Sequence, residues 1–121
     1  MANKTLKIVN KKNQVVLADS VVCAETFFKR LIGLMFKGKI NKNQGLFIKN
    51  CKAIHTFFMR FSIDAVFIDK DNRVIAIYEN LRPFIGITKY HSSSIGVLEF
   101  LSGTARSAEL KVDDTLVIEN L

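Results

Sequence analysis

With 121 residues, one proline and 49% hydrophobic side chains, the chain is long enough to bury a core without disulfide staples and too apolar for a disordered segment. No apolar run approaches the roughly 20 residues of a membrane-spanning helix; two cysteines without a CxxC pair exclude a disulfide framework. The net charge is +7, and residues 1–60 hold twelve Lys or Arg against Asp19 and Glu25, while 61–121 hold six against nine acids.

The N-terminal MANKTLKIVNKK has no apolar stretch to make it a signal peptide, so a cytoplasmic location is expected. The charge asymmetry points to an acidic protein or a nucleic acid as partner. The excess of 13 Lys over 5 Arg argues against bidentate recognition of phosphate or bases.

Along the chain, TLKIVN (Thr5–Asn10) alternates apolar with polar, KKNQ breaks the pattern and VVLA resumes it, which predicts a hairpin. Asp19–Ser20 reads as a helix cap, and Phe27, Leu31 and Met35 repeat every four residues, as do Phe28, Ile32 and Phe36. This spacing predicts one main helix over about 21–36. Lys37 to Gly45 is a basic connection, and LFIKN reads as a short strand. IDAVFID and RVIAIYE flank a DKDN turn, and both faces of both runs are mostly apolar, which predicts a hairpin of central, doubly covered strands. Asn80–Ser94 is a loop holding the only proline, Pro83. IGVLEFL follows as a strand, SGTARSAEL as a turn and a short helix near 103–109 capped at Ser102 or Thr104, and TLVIEN closes the chain. The expected fold is one α+β domain, residues 1–121, dominated by a small, barrel-like curled sheet.

CKAIHTFFMRFSID (Cys51–Asp64) concentrates the groups capable of chemistry. Cys51, His55 and Met59 are spaced by four: roughly 13 Å per step in a strand, about 6 Å in a helix. The β-branched and aromatic residues Ile54, Thr56, Phe57, Phe58 and Phe61 favour extended or irregular chain. Three readings stay open. Cys51, His55 and Met59 match the ligand types of a copper centre, though the second histidine, His91, lies downstream in a loop. Cys51 and His55 would make a nucleophile pair, with Asp64 or Glu79 orienting the imidazole. In the structural reading Met59 fills core, His55 bonds a carbonyl, and Asp64 accepts backbone amides or pairs with Arg60 or Arg30. Cys23, among Val21, Val22 and Ala24, reads as a buried small hydrophobe. His91, followed by three serines, reads as part of a solvated loop.

RLIGLMF (Arg30–Phe36), GLFI, the Cys51 stretch, RVIAIYENLRPF and VLEFLSGTA…LKVDD occur in this order and together resemble the bacterial and archaeal family known as domain of unknown function 192, over about residues 15–119. The resemblance implies a small, β-dominated domain with no established activity. Its recurring positions fall on Arg30, Gly33, Leu34, Met35, His55, Met59, Ile63, Asp64, Glu99 and Gly103. The chain departs from the pattern at Ser62, where proline is usual, and at Asp113–Asp114, where Gly-Asp is usual. The reading that follows is a non-catalytic binding or accessory domain without a cofactor. Its working surface is the basic Lys37–Lys52 region with the loop Asn80–Ser94; Lys37, Lys39, Lys42, Arg30 and Arg60 are the candidate binding residues. The alternatives are a small enzyme built on Cys51, His55 and Asp64, a copper-type site, and a nucleic-acid binder.

Overall fold

The computed structural model describes residues 5–24, 40–57 and 59–121. The alternation in Thr5–Asn10 forms β1, and the polar turn 11–14, closed by Gln14 N donating to Asn10 O at 2.8 Å, returns the chain as β2 (Val15–Ala24). The following strands are β3 (Gln44–Lys49), β4 (Ile63–Ile68), β5 (Val74–Leu81), β6 (Gly96–Leu101) and β7 (Leu116–Asn120). They make one seven-stranded sheet in the order β5-β4-β6-β3-β2-β1-β7, antiparallel except for β2 and β3. The two edges approach each other through an Arg73–Thr115 bridge and the bonds Val74 N to Asp114 O (2.7 Å) and Leu116 N to Asn72 O (2.9 Å). The sheet therefore curls into a half-barrel, as the β-dominated pattern anticipates.

Its concave face buries Ile8, Val21, Phe47, Val66, Ile68, Leu98, Phe100 and Leu116. A second cluster, Leu46, Ile48, Ile63, Ala65, Phe67 and Val97, lies on the opposite face and is covered by Cys51, Ile54 and Met59. β4 feeds both clusters, so all six of its residues are buried, and the apolar run 65–68 is what a strand covered on both sides requires.

Four expectations are corrected. Asp19 and Ser20 do not cap a helix: both amides donate to Asn43 O, and β2 continues through Ala24 because Val21 and Val22 are paired on both sides, with β1 and β3. The remainder of the expected helix, 25–36, lies outside the described residues, as do Arg30, Lys37 and Lys39. Among the described residues the helical segment is the four-residue α1 (Thr104–Ser107), too short and apolar-poor to cross a membrane. β5 is an edge strand and only half buried, so its apolar run reflects one covered face and one partly open one. Neither Ser102 nor Thr104 caps α1 with its side chain. The capping position is Gly103, at φ 97°, a left-handed conformation that glycine adopts without strain. The last correction concerns Cys23, which is half-buried rather than buried.

The departure at Asp113 carries a local consequence. Asp113 has φ 80°, the left-handed geometry that the usual glycine of the pattern would take freely, and it donates its amide to Val74 O at 2.8 Å.

Candidate functional site

The segment 51–57 runs across the outer face of the half-barrel, and the loop 82–95 is laid beside it. The two are joined by main-chain bonds: Thr56 N to Gly86 O (2.9 Å), Phe84 N to Thr56 O (2.7 Å), Thr88 N to Ile54 O (3.1 Å) and His91 N to Lys52 O (2.8 Å). His55 and Ile87 face each other in an antiparallel bridge. The result is a short two-stranded ribbon. Its β-branched and aromatic residues give the extended conformation that the sequence suggests.

Thr56, fully buried, is the hub. Its hydroxyl donates to Arg82 O (2.5 Å) and accepts from Gly86 N (2.8 Å), closing the turn 82–86. A Cβ on Gly86 would lie 2.5 Å from that hydroxyl oxygen, so no other residue fits there without moving the turn. The turn holds Phe84 at φ 70°, unusual for a bulky side chain.

Alternation along the ribbon sets two faces. Ile54, Thr56, Gly86 and Thr88 point inward and are buried; His55, Phe57, Ile85, Ile87 and Lys89 point outward. Outward positions of a ribbon backed by a core are ordinarily polar. Here they are apolar: Phe57 is 46% exposed, Phe84 61%, Ile85 70%, Ile87 68% and Tyr90 70%. The His55 ring stacks on Phe57 at 4.4 Å between centroids, and its Nδ1 accepts from Phe57 N. The cations Arg60, Arg82 and Lys89, all exposed, flank these residues along the chain. No carboxylate occurs between Glu25 and Asp64 or between Glu79 and Glu99.

The residues expected to carry chemistry are distributed otherwise. Cys51 and Met59 are buried in the outer-face core cluster, and the Cys51 thiol donates to Ala53 O at 3.2 Å. His55 belongs to the outward row, so the polar contacts of thiol and imidazole run to different partners. Burial pushes the Cys51 thiol above its ordinary range, with the Glu99 carboxylate adding to the effect, which is the opposite of what a nucleophile needs. In a Cys23→Ala background, alkylation of Cys51 at pH 8 is expected to run more than about a hundredfold slower than in the unfolded chain. Labelling at the unfolded rate would reopen the nucleophile reading. Among the described residues no three His, Cys, Asp or Glu side chains converge as a metal-binding group.

Asp64, at the start of β4, is fully buried and accepts three backbone amides: Asn80 N (2.9 Å) on one oxygen, Gly103 N (3.1 Å) and Ala105 N (3.0 Å) on the other. It therefore ties β4 to the end of β5 and to the start of α1. Glu79, the other carboxylate considered for the imidazole, sits 3.9 Å from Arg106.

Two groups escaped the sequence reading. His91 is not simply solvated: its Nε2 lies 2.7 Å from Tyr78 Oη and its ring 4.7 Å from Phe67. Tyr78 Oη also accepts from Lys89 N (3.2 Å), and the imidazole tautomer decides which of Tyr78 and His91 donates in their contact. Burial, assisted by Lys89, holds His91 below its ordinary range. Lys52 closes the same end of the ribbon by donating to Ser92 O (2.6 Å) and Ser94 O (2.9 Å). The second group is Glu99. It shares the outer face of β6 with Val97, flanked by Leu46 on β3 and Ala65 on β4, and is 4% exposed. Its Oε2 has no hydrogen-bond partner among the described residues, and burial raises its carboxyl to about 7. A lone acid in an apolar strand was the available signal.

Comparison with known proteins agrees with this architecture. The family model DUF192, described as an uncharacterized ACR, matches residues 7–118. A UPF0127 protein of Thermococcus sibiricus is 31% identical over 105 residues, covering 78% of this chain and 68% of its own length. A UPF0127 protein of Pyrococcus horikoshii is 35% identical over 82 residues, covering 64% and 69%. Two crystal structures share the fold at a TM-score of 0.77. A proposed transcription regulator from Sinorhizobium meliloti is 21% identical and is matched over 98% of this chain and 94% of its own. A protein of unknown function from Novosphingobium aromaticivorans is 20% identical, over 93% and 82%. At such identities the likeness shows the fold alone.

Proposed function

Because the chain belongs to the DUF192 family, whose members are uncharacterised, we propose its function from its own surface: a non-catalytic binding module that presents the ribbon 54–57 and 82–90 to a partner at once acidic and apolar. The observation that carries this reading is the outward row of Phe57, Phe84, Ile85, Ile87 and Tyr90. Exposed apolar groups gathered in one place mark interaction surfaces, and here they are flanked along the chain by cations with no carboxylate in either segment. Arg60 and Lys42, both exposed, belong with Lys37, Lys39 and Arg30 to the basic set that the sequence suggests. The groups that an enzyme would use support a scaffold instead. Cys51 is buried with a raised pKa, and the Asp64 carboxylate is committed to three amides.

The test is a titration of the ¹⁵N-labelled protein with a soluble peptide of alternating Glu and Leu. Amides of 54–57 and 82–90 are expected to shift, and the double variant Arg82→Glu/Lys89→Glu to weaken binding by about tenfold or more, roughly 1 kcal/mol being the scale of each cation at an anionic surface. Absence of shifts at millimolar peptide, or shifts confined to the strand ends around Glu79 and Arg106, would discard this face as the working surface.

A further inference from the structure

The geometry points to an anionic lipid bilayer as the partner surface of the ribbon, an assignment that rests on the binding-module reading and names its occupant. Three observations carry it.

The first is shape. Four of the most exposed apolar side chains are gathered in a turn and the strand that leaves it. Phe84 and Ile85 stand at its apex, 61% and 70% exposed, and Ile87 and Tyr90 follow at 68% and 70%. Phe84 keeps φ 70° under the hold of Thr56, so an unfavourable backbone is maintained at the residue that projects an aromatic ring. Two clefts lie elsewhere, one around Lys12, Glu79 and Arg106 and the other around Val16, Asp19 and Lys42. A protein partner's anchor side chain is best received by a pocket; a bilayer interface receives projecting ones.

The second is charge. The exposed ionisable groups beside the apex are Arg82, Lys89 and Arg60, with His55 in the row, and no acid interrupts residues 80–98 or 26–63. Basic residues at the collar of an apolar tip place their charge at the level of anionic headgroups, where each contributes to the attraction.

The third is the state of the backbone. Peptide groups entering the headgroup region must keep their hydrogen bonds. In the ribbon, the amides of Thr56, Phe84, Gly86 and Thr88 are bonded to Gly86 O, Thr56 O, Arg82 O and Ile54 O, and Phe57 N is bonded to His55 Nδ1. These five amides can therefore descend already bonded, and the Ile85 and Ile87 amides turn to headgroup oxygens or interfacial water. This would be an interfacial contact, some 5–10 Å deep, and not a crossing.

The experiment is co-sedimentation of the full chain with vesicles of phosphatidylcholine alone and with vesicles containing about a quarter phosphatidylglycerol. Wild type is expected to sediment with the anionic vesicles only. The variant Phe84→Gly/Ile85→Ser keeps the net charge and suits the positive φ, so it should fold, as circular dichroism would check. It is expected to lose about tenfold or more in vesicle partition. Arg82→Glu/Lys89→Glu should lose a similar factor and most of the salt dependence. No sedimentation of wild type overturns the lipid assignment. So does sedimentation that is salt-sensitive but indifferent to Phe84→Gly/Ile85→Ser, which is adsorption by charge alone. If vesicles fail while the Glu–Leu peptide still shifts the ribbon amides, the partner is a protein and the binding-module reading stands. If neither probe touches the ribbon, both fall.

Discussion

Replacing Glu99 by Gln is expected to make the protein more stable than its parent above pH 7, by an amount that grows from pH 4.5 to pH 7 and then levels off. The folded protein holds this carboxyl at about 7, against an ordinary value of 4.5, because burial between Leu46 and Ala65 removes it from water and no hydrogen bond reaches its Oε2 among the described residues. The fold thus prefers the proton. A raised pKa stabilises fully at a pH below the unfolded value, and the stabilisation drains away as pH rises towards the folded value. Over the interval from 4.5 to about 7, at 1.36 kcal/mol per pH unit, the loss is about 3 kcal/mol. Gln is neutral throughout and escapes it. Urea unfolding of both proteins at pH 4.5, 6 and 8.5 reads the effect as the difference between two curves. His91 opposes Glu99: its folded pKa is depressed, so it costs stability as pH falls through about 6.5, equally in both proteins, and cancels. Parallel curves would mean that Glu99 is ionised in the fold and holds a partner. The same substitution removes the carboxylate that helps to raise the Cys51 thiol, so alkylation should be faster at alkaline pH.

How far such features could be read from sequence depends on whether the force acting is local. The strands β1, β3, β4, β6 and β7 follow from alternation or from apolar runs interrupted at most by one acid, and the turn 69–72 from Asp69, whose carboxylate accepts from Asp71 N and Arg73 N. Each is decided by neighbours in sequence. The misreadings involve distant partners. Asp19–Ser20 has the composition of a helix cap, but Asn43, more than twenty residues on, takes its amides and keeps it in a strand. β5 has the apolar content of a central strand, but its place at the sheet edge is fixed by the order of strands, which no local pattern encodes. The cap of α1 comes from β4, some forty residues upstream. At the candidate site, the extended course of 53–56 was legible in its β-branched residues Ile54 and Thr56. The inversion of the ribbon was not: that Phe57, Ile85 and Ile87 face outward emerges only when Thr56 is pinned inward by Arg82 O and Gly86 N.

Asp64 shows the same logic at its most consequential, and its replacement is expected to be the most damaging single change. Its two oxygens accept from Asn80, Gly103 and Ala105, and it is inaccessible to water that could replace it. Hydrogen bonds to a charged acceptor are worth about 1.5–3 kcal/mol each, and a buried donor left without one costs about 1–3 kcal/mol. Asp64→Ala strands three donors at once and should cost about 4–5 kcal/mol, a large part of the stability of a domain this size. Asp64→Asn keeps one good acceptor but turns its NH₂ towards donors, and should cost about 2–3 kcal/mol. Denaturant midpoints at pH 7 decide between this and a dispensable carboxylate: a loss below about 0.5 kcal/mol for Asp64→Asn would place the acid's role elsewhere. A second readout follows from the position of Asn80. It bulges from β5 opposite Asp64, at φ 55°, with Ile63 paired to Leu81 and Ala65 to Tyr78, and its side-chain oxygen accepts from Ser102. The chain enters the ribbon turn two residues later, at Arg82. Asp64→Asn should therefore speed amide hydrogen exchange at Phe84, Gly86 and Thr88 more than at β1 and β7, and weaken whatever the ribbon binds. Equal acceleration everywhere would mean that Asp64 stabilises the fold globally without positioning the ribbon.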